Sequence, residues 1–304
     1  MAKKLNVAIL GSGNIGSDLL IKVLRSEYLN CSLFIGRNLS SPGIMKANSL
    51  GVRISDASID AIIGNPEVCD LVFDATSALA HKKHAPVLKD LGIQVIDMTP
   101  SQIGKMCVPA INLAECVSSD NINMITCGGQ TSVPIVHAMI EAQPDIDYVE
   151  IVSSIASNSA GPGTRYNIDE YIENTESGLR VIGGCENVKA IVILNPAKPP
   201  IDMQTTIFAT AKDPDLIRLE KHVSEIAGKI RNYVPGYEII AGPLHEAGRI
   251  IVMVRVRGLG DFLPSYAGNL DIINCAAIAA AEEFARRRNN EREGNDYATA
   301  SNRK

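Results

Sequence analysis

The sequence predicts an α/β protein of two domains, and three observations carry that prediction. First, the strand-length apolar run Leu5–Leu10 leads into Gly11-Ser-Gly-Asn-Ile-Gly16, after which Ser17 to Leu24 follow a helical apolar pattern. Second, Leu71-Val-Phe-Asp-Ala75 and Gln94-Val-Ile-Asp97 are short apolar runs on either side of a helical stretch, Ala78 to Leu91, as buried parallel strands are. Third, the patterning changes after Met139. Tyr148 to Ile155 alternates apolar with polar as a half-buried strand does, and more strands and long helices follow, which fits an α+β domain with a mixed or antiparallel sheet.

Length and composition set outer bounds. A chain of 304 residues is long enough for two domains, and 46% hydrophobic with 21% charged residues is a globular composition with an ample core. A net charge of −5, with no basic stripe interleaved with aromatics, argues against nucleic acid as a partner. No apolar run reaches the ~18 residues that a membrane helix needs. The opening Met1-Ala-Lys-Lys-Leu-Asn leads straight into a strand, so no signal peptide is expected. Seven cysteines (31, 69, 107, 116, 127, 185 and 275) form no Cys-x-x-Cys pair. That argues against zinc, and an odd count without an export signal points to reduced thiols in the cytoplasm.

The glycine pattern lies between a strand and a helix at the chain start, which is the setting a dinucleotide-binding loop requires. Gly11 would make the tight turn, Gly13 would let a pyrophosphate approach and Gly16 would pack helix on strand. A second strand is expected near Ser32–Ile35. Where NAD sites usually carry an acid for the ribose diol, this chain has Gly36-Arg37-Asn38. The planar fork of Arg37 suits a 2′-phosphate, so the expected cofactor is NADP, or either of NAD and NADP. Asp74-Ala-Thr-Ser77 and Asp97-Met-Thr-Pro100 put polar residues at strand C-ends, where open α/β sheets bind ligands. His81 and His84, three apart, have a spacing a metal could use. No third ligand is near, and they read as a solvated helix face. Cys107 and Cys116 read as packing residues.

Cys127 is the candidate nucleophile. An apolar run ends there, Gly128 and Gly129 follow, and Thr131 to Ile140 reads as a helix. A thiol between a strand end and a helix N-terminus meets free backbone N–H groups and the positive end of the helix dipole, which favour thiolate. The N–H groups near Cys127 and Gly128 are candidate oxyanion donors. Asp202, His137 and His245 are candidate bases that the sequence does not rank. Ser157 to Asn167 is rich in Gly, Ser and Pro, carries Arg165, and precedes a helix from about Ile168. Such a loop suits an anion or the nicotinamide end of a cofactor.

Strands are then expected at Lys189–Leu194, Asp202–Thr210 and Gly248–Gly258, with an amphipathic helix over Asp213–Arg231. Asn269 and Asp271 head a long helix, Cys275 to about Arg288, that should pack on the first domain. The expected division is 1–130 with 268–290 for the dinucleotide-binding Rossmann domain and 131–267 for a catalytic and dimerisation α+β domain. A disordered polar tail is expected at 291–304.

Taken in order, Val7-Ala-Ile-Leu-Gly-Ser-Gly-Asn-Ile-Gly16, Phe73-Asp-Ala-Thr-Ser77, Met124-Ile-Thr-Cys-Gly-Gly-Gln130, Ser159-Ala-Gly-Pro-Gly-Thr-Arg165, Asn195-Pro-Ala197 and Tyr266-Ala-Gly-Asn-Leu-Asp271 resemble the acylating acetaldehyde dehydrogenases. Those enzymes partner 4-hydroxy-2-oxovalerate aldolases in the meta-cleavage breakdown of aromatic compounds. The resemblance implies a second domain of the glyceraldehyde-phosphate-dehydrogenase C-terminal type, which dimerises. It also implies conversion of a small aldehyde to acyl-CoA, with coenzyme A as co-substrate and a thioester on Cys127. By position, Ser12, Gly13, Asn14 and Ile15 would contact the nicotinamide cofactor, as would Ser159, Ala160, Gly161, Pro162, Gly163, Thr164, Arg165, Tyr166, Asn167 and Asn269. The chain departs from the family at Arg37-Asn38, in a shorter segment between Tyr237 and Phe262, and at Thr205, which stands where family members carry an Asp. An acyl-phosphate or carrier-protein-linked reductase of the semialdehyde dehydrogenase type, or a non-catalytic aldolase partner, are the alternative readings.

Overall fold

A computed structural model describes residues 3–301, apart from the side chains of residues 162–163 and 292–301. The first half runs β1 (Leu5–Leu10), α1 (Asn14–Arg25), β2 (Leu29–Ile35), α2 (Pro42–Ser49), β3 (Ile54–Ser55), α3 (Asp60–Ile63), β4 (Leu71–Asp74), α4 (Ala78–Asp90), β5 (Gln94–Asp97), β6 (Lys105–Met106), α5 (Pro109–Cys116) and β7 (Asn121–Asn123). The second half runs α6 (Cys127–Ala142), β8 (Tyr148–Ala156), α7 (Pro162–Tyr166), α8 (Ile168–Val181), β9 (Val188–Asn195), β10 (Met203–Thr210), α9 (Leu216–Arg231), β11 (Tyr237–Glu246), β12 (Arg249–Val256) and α10 (Gly268–Ser301).

The first seven strands form one parallel sheet in the order β3-β2-β1-β4-β5-β7-β6. Every residue of β4 and β5 is buried, because helices cover both faces. Their C-ends, with the turn after β1, open on the same edge of the sheet, where the order reverses between β1 and β4.

The other five strands form a mixed sheet, β11-β12-β10-β8-β9, in which only β8 and β9 are parallel. β10, and β12 after its exposed first residue Arg249, alternate between buried and half-buried residues. The buried face, including Ile207, Val252 and Val254, joins the core formed with α6, α8 and α9. The other face carries half-buried Phe208, Ile251 and Met253. β11 has no counterpart in the expected strands. Two register shifts and a left-handed Gly242 (φ 87°) break the alternation by which a strand is recognised.

α10 returns the chain to the first sheet. Ala276, Ala277, Ala280, Ala281 and Ala285 are all buried, and such small side chains allow close approach to α1. Ser26 donates to Glu282 at 2.6 Å, and Arg286 lies 4.3 Å over the ring of Tyr28. The Lys22 ammonium is buried among Asp271 (2.7 Å), Asp261 (2.8 Å) and Asp18 (2.9 Å). Those three carboxylates have the grouping of a cation site, and the cation among them is the protein's own lysine. The helix does not end near Arg288. It continues to Ser301, so the segment expected to be a disordered tail is helical that far, and residues 302–304 lie outside the described residues.

Candidate active site

The turn before α1 is built by its glycines. Gly11 sits at φ +121°, and a Cβ on it would stand 2.5 Å from the Ala75 carbonyl oxygen. A Cβ on Gly16 would stand 1.9 Å from the Gly11 carbonyl oxygen. Gly13 differs: nothing lies within 4 Å of where its Cβ would be. It is also the N-cap of α1 and caps with no side chain, so the first N–H groups of the helix face a cleft. That cleft, about 410 Å³, is bounded by Gly11, Ser12, Gly13, Gly36, Arg37 and His84, among others. Arg37 is exposed at the end of β2, with no recorded hydrogen bond or ion pair among the described residues. Ser12 shares a hydrogen bond with Ser41 (3.1 Å), and Asn14 is exposed at the start of α1.

Cys127 is the first residue of α6, which therefore starts four residues earlier than the sequence pattern indicates. Thr126 is the N-cap and accepts from the Gly129 N–H at 2.8 Å. Ile125, just before it, is held at φ 61°. A left-handed backbone is strained for a β-branched residue, at a cost of about 1–3 kcal/mol. The surroundings enforce it. Asn174 donates to the Ile125 carbonyl at 2.9 Å, and Cβ atoms on Gly129 or Gly178 would crowd the Ile125 side chain at 2.7 and 3.1 Å. The strained turn brings the thiol to the wall of a cavity of about 110 Å³.

That cavity joins both halves of the chain. Ile15 and Asn269 line it from the first sheet's side, and Cys127, Thr164, Asn167 and Tyr171 line it from the other. One buried oxygen on its wall, Asn269 Oδ1, has no hydrogen-bond partner among the described residues. A nicotinamide carboxamide would supply a donor for it, and the open face at Gly13 leaves room for a pyrophosphate, so these residues fit a dinucleotide. The remainder of the 157–167 loop plays a different part. Ser159 is buried and donates to the Ala156 carbonyl, and Ala160 is buried beside it. Arg165 folds back onto the Ala160 and Ser157 carbonyls at 3.0 and 2.9 Å. Tyr166 is 85% exposed, Gly161 is half-buried, and the side chains of residues 162–163 are outside the described residues.

The group nearest the thiol was not foreseen. Tyr171 of α8 places its hydroxyl 3.5 Å from Cys127 Sγ and accepts the Gly128 N–H at 3.0 Å. Burial pushes the Cys127 thiol up, against the Tyr171 hydroxyl and the Gly128 and Cys127 N–H groups, which pull it down. The resting sulfur is thus less inclined to ionise than the helix terminus alone suggests. One expected oxyanion donor is also engaged, because Gly128 N–H is bonded to the Tyr171 hydroxyl, while the next N–H, of Gly129, is bonded to Thr126. A sequence signal for Tyr171 existed. The inward face of α8 is Tyr171, Asn174, Thr175, Gly178 and Leu179, and its polar members Asn174 and Thr175 at helical spacing beside Tyr171 are unusual for a purely structural helix.

None of the three candidate bases lines this cavity. Asp202 pairs with Arg257 at 3.1 Å, His137 bonds the Ile182 carbonyl at 2.9 Å, and His245 is exposed on β11. Thr205 lies behind the thiol helix. Its hydroxyl is 2.9 Å from Ser153 Oγ, which in turn is 3.2 Å from the place of a Cβ on Gly128.

His81 and His84 correct a further expectation. They are buried rather than on a solvated face, and both Nδ1 atoms meet Asp74 Oδ2, at 2.9 and 2.8 Å. Burial alone would raise the Asp74 carboxyl, but hydrogen bonds from His81, His84 and Thr76 outweigh it and hold the group down to about 2. The cluster pins α4 to the end of β4, forming the floor between the cleft and the cavity.

Known proteins resemble this chain along nearly all of its length. An acetaldehyde dehydrogenase of Spirochaeta aurantia is 57% identical over 285 residues, covering 94% of this chain and 96% of that relative. One from Pectobacterium atrosepticum is 54% identical, covering 92% and 95%. The family profile described as "Prokaryotic acetaldehyde dehydrogenase, dimerisation" matches residues 127–264. Among solved structures, aspartate semialdehyde dehydrogenase II of Vibrio cholerae, complexed with ASA, has a TM-score of 0.63 at 15% identity, covering 94% of this chain and 99% of its own. Aspartate semialdehyde dehydrogenase of Candida albicans, with NADP, has a TM-score of 0.59 at 12% identity, covering 92% and 100%. These two share the fold: a Rossmann-type parallel sheet and a second, mixed-sheet domain. With relatives more than half identical over at least 92% of its length, the chain belongs to the acetaldehyde dehydrogenase family and is an oxidoreductase acting on aldehydes.

Proposed function

We propose that this protein is a CoA-acylating aldehyde dehydrogenase that converts a short-chain aldehyde, NAD(P)+ and coenzyme A to acyl-CoA and NAD(P)H, reversibly, through a thioester on Cys127. One observation carries the reading. Cys127 shares a cavity of about 110 Å³ with Ile15 of the dinucleotide loop and with the unpartnered Oδ1 of Asn269. Reacting carbon, sulfur and hydride acceptor would therefore meet in one small space.

The chain's residues divide the work. The turn at Gly11, Gly13 and Gly16 and the open end of α1 would hold the pyrophosphate, and Asn269 would orient the nicotinamide. When bound, the nicotinamide supplies a hydride acceptor. The Cys127 sulfur adds to the aldehyde carbon, which later gives up its hydride and becomes a thioester. The coenzyme A thiolate attacks that thioester and restores Cys127. Arg37, exposed at the cleft and without a partner among the described residues, supports NADP as a cofactor beside NAD.

The same reading includes a cytoplasmic homodimer, divided into residues 1–130 with 268–290 and 131–267. The half-buried face bearing Phe208, Ile251 and Met253 and the dimerisation profile over residues 127–264 support it. A 4-hydroxy-2-oxovalerate aldolase as supplier of the aldehyde rests on the resemblance alone, and co-elution of the two purified proteins tests it.

A panel of aldehydes, each given coenzyme A or phosphate and either NAD or NADP, tests the activity. NAD(P)H formation that requires coenzyme A is expected; a requirement for phosphate would replace this reading with an acyl-phosphate reductase. Cys127→Ala is expected to abolish acyl-CoA formation while dinucleotide binding survives. Arg37→Glu should raise KM for NADP about tenfold or more and leave NAD little changed, since a phosphate–arginine contact is a charge-assisted bidentate one.

A further inference from the structure

Resting on that reading of Cys127, we propose that Tyr171 is a catalytic residue: its hydroxyl, fixed by the Gly128 N–H, donates first to the Cys127 sulfur and then to the carbonyl-derived oxygen that forms beside it. Three observations point the same way. The Tyr171 oxygen accepts the Gly128 N–H at 3.0 Å, and the sulfur stands 3.5 Å away in the same cavity, where a thiolate can only accept and the phenol is the donor. The residue at 128 is shaped for this contact, because a Cβ there would stand 2.3 Å from the Tyr171 oxygen. The helix bearing the phenol is latched to the thiol turn: Asn174 holds the Ile125 carbonyl, and Thr175 and Thr126 hydroxyls meet at 2.6 Å.

Burial, followed by the neighbouring Cys127, pushes the phenol well above its ordinary range, so it stays protonated and acts as a donor rather than a base. Cys127 enters as the thiolate, its proton having passed to solvent, and the electrons then balance with no proton moved from the phenol. The sulfur pair forms the S–C bond as the carbonyl π pair moves to oxygen, where the phenol hydrogen-bonds it. With a nicotinamide bound as hydride acceptor, loss of hydride from the carbon would let the oxygen pair re-form C=O and give the thioester on Cys127. The phenol thus carries the polarity of the α6 N-terminus one hydrogen bond further out, to where charge develops.

Tyr171→Phe in the full-length protein tests the role, with Tyr171→Met as a second hydroxyl-free variant should the first not fold. Iodoacetamide alkylation at Cys127, located by peptide mass mapping, is followed against pH without any substrate. The alkylation midpoint is expected to move up, slowing the reaction near neutral pH about tenfold, as a shift of one pKa unit would. With substrates, kcat is expected to fall about 100-fold, in the range for loss of one oxyanion donor, while KM for the dinucleotide is unchanged. An unmoved alkylation midpoint in a folded variant overturns the proposal. The alkylation reads Tyr171 even if no acyl-CoA is made, whereas absent acyl-CoA formation by the unmodified protein overturns the functional reading.

Discussion

Two helix N-termini meet at this site, and they are finished in opposite ways. α1 starts at Gly13 with no side-chain cap and with empty space where a Cβ would be. α6 starts at Thr126 with its cap made, its Gly128 N–H on a tyrosine and its Gly129 N–H on a threonine. An open terminus is a receptor for an anion that arrives from outside. A closed terminus has spent its donors on the protein, and its polarity reaches a ligand only through the groups that cover it. The sequence around both is glycine-rich. The difference lies in what the rest of the chain lays over them.

The largest test of the comparison is Gly16→Ala. Its Cβ would meet the Gly11 carbonyl, which is backbone and cannot swing aside. A stability loss of about 3 kcal/mol is expected in denaturant unfolding, together with loss of dinucleotide binding. A stable, binding-competent variant would mean that the turn is not shaped by close approach. Gly13→Ala should separate the two properties. With nothing within 4 Å, unfolding should be unchanged, while titration with the dinucleotide shows affinity lowered about tenfold, or about 1.4 kcal/mol. If affinity holds, the open end of α1 is not the anion receptor.

Closing pressure on the other terminus is milder. Thr126→Ala removes a made cap and should cost about 1 kcal/mol in thermal or denaturant unfolding. A cost near zero would show that Tyr171 and Asn174 hold the turn without it.

The smallest effect near neutrality concerns the floor between the two termini. Burial disfavours charge on His81, but Asp74 and Asp97 outweigh it and raise the imidazole above its ordinary 6.5. A raised base contributes stability that is complete below 6.5 and is lost as pH rises through the folded value. Asp74, lowered from 3.8 to about 2, contributes stability present above 3.8 and lost as pH falls through about 2. Melting temperature against pH should therefore show a plateau between those limits, and His81→Asn should flatten its alkaline side. An unchanged profile in that variant would remove the pair from the account.

Legibility in the sequence followed the range of the interactions. The strand–glycine–helix start was readable because a turn, a close approach and a strand end all fall within about 15 residues of one another. Cys127 was readable as a thiol beside a helix start, though not that the helix begins at the cysteine itself, since glycine and threonine weigh against helix in any local pattern. Tyr171 was missed because it reaches Cys127 only when α8 packs on α6, 44 residues away in sequence. His81 and His84 looked like surface residues because their shared partner, Asp74, lies in a strand rather than on their own helix. Asp202, one of three candidate bases the sequence left unranked, lies just before β10 and pairs with Arg257.

The buried Lys22 ties the order of synthesis to the acquisition of cofactor. Its counter-charges at Asp261 and Asp271, and the Asn274 side chain that bonds Asp18 at 2.9 Å, come from the last part of the chain. A nascent chain that has completed the first sheet but not reached these residues holds an ammonium that burial would strip of water with only Asp18 to answer it. The helix that would receive the pyrophosphate is therefore fastened late. If α1 receives the dinucleotide as proposed, a chain lacking Asp261 and the carboxyl-terminal helix is expected to lose dinucleotide binding.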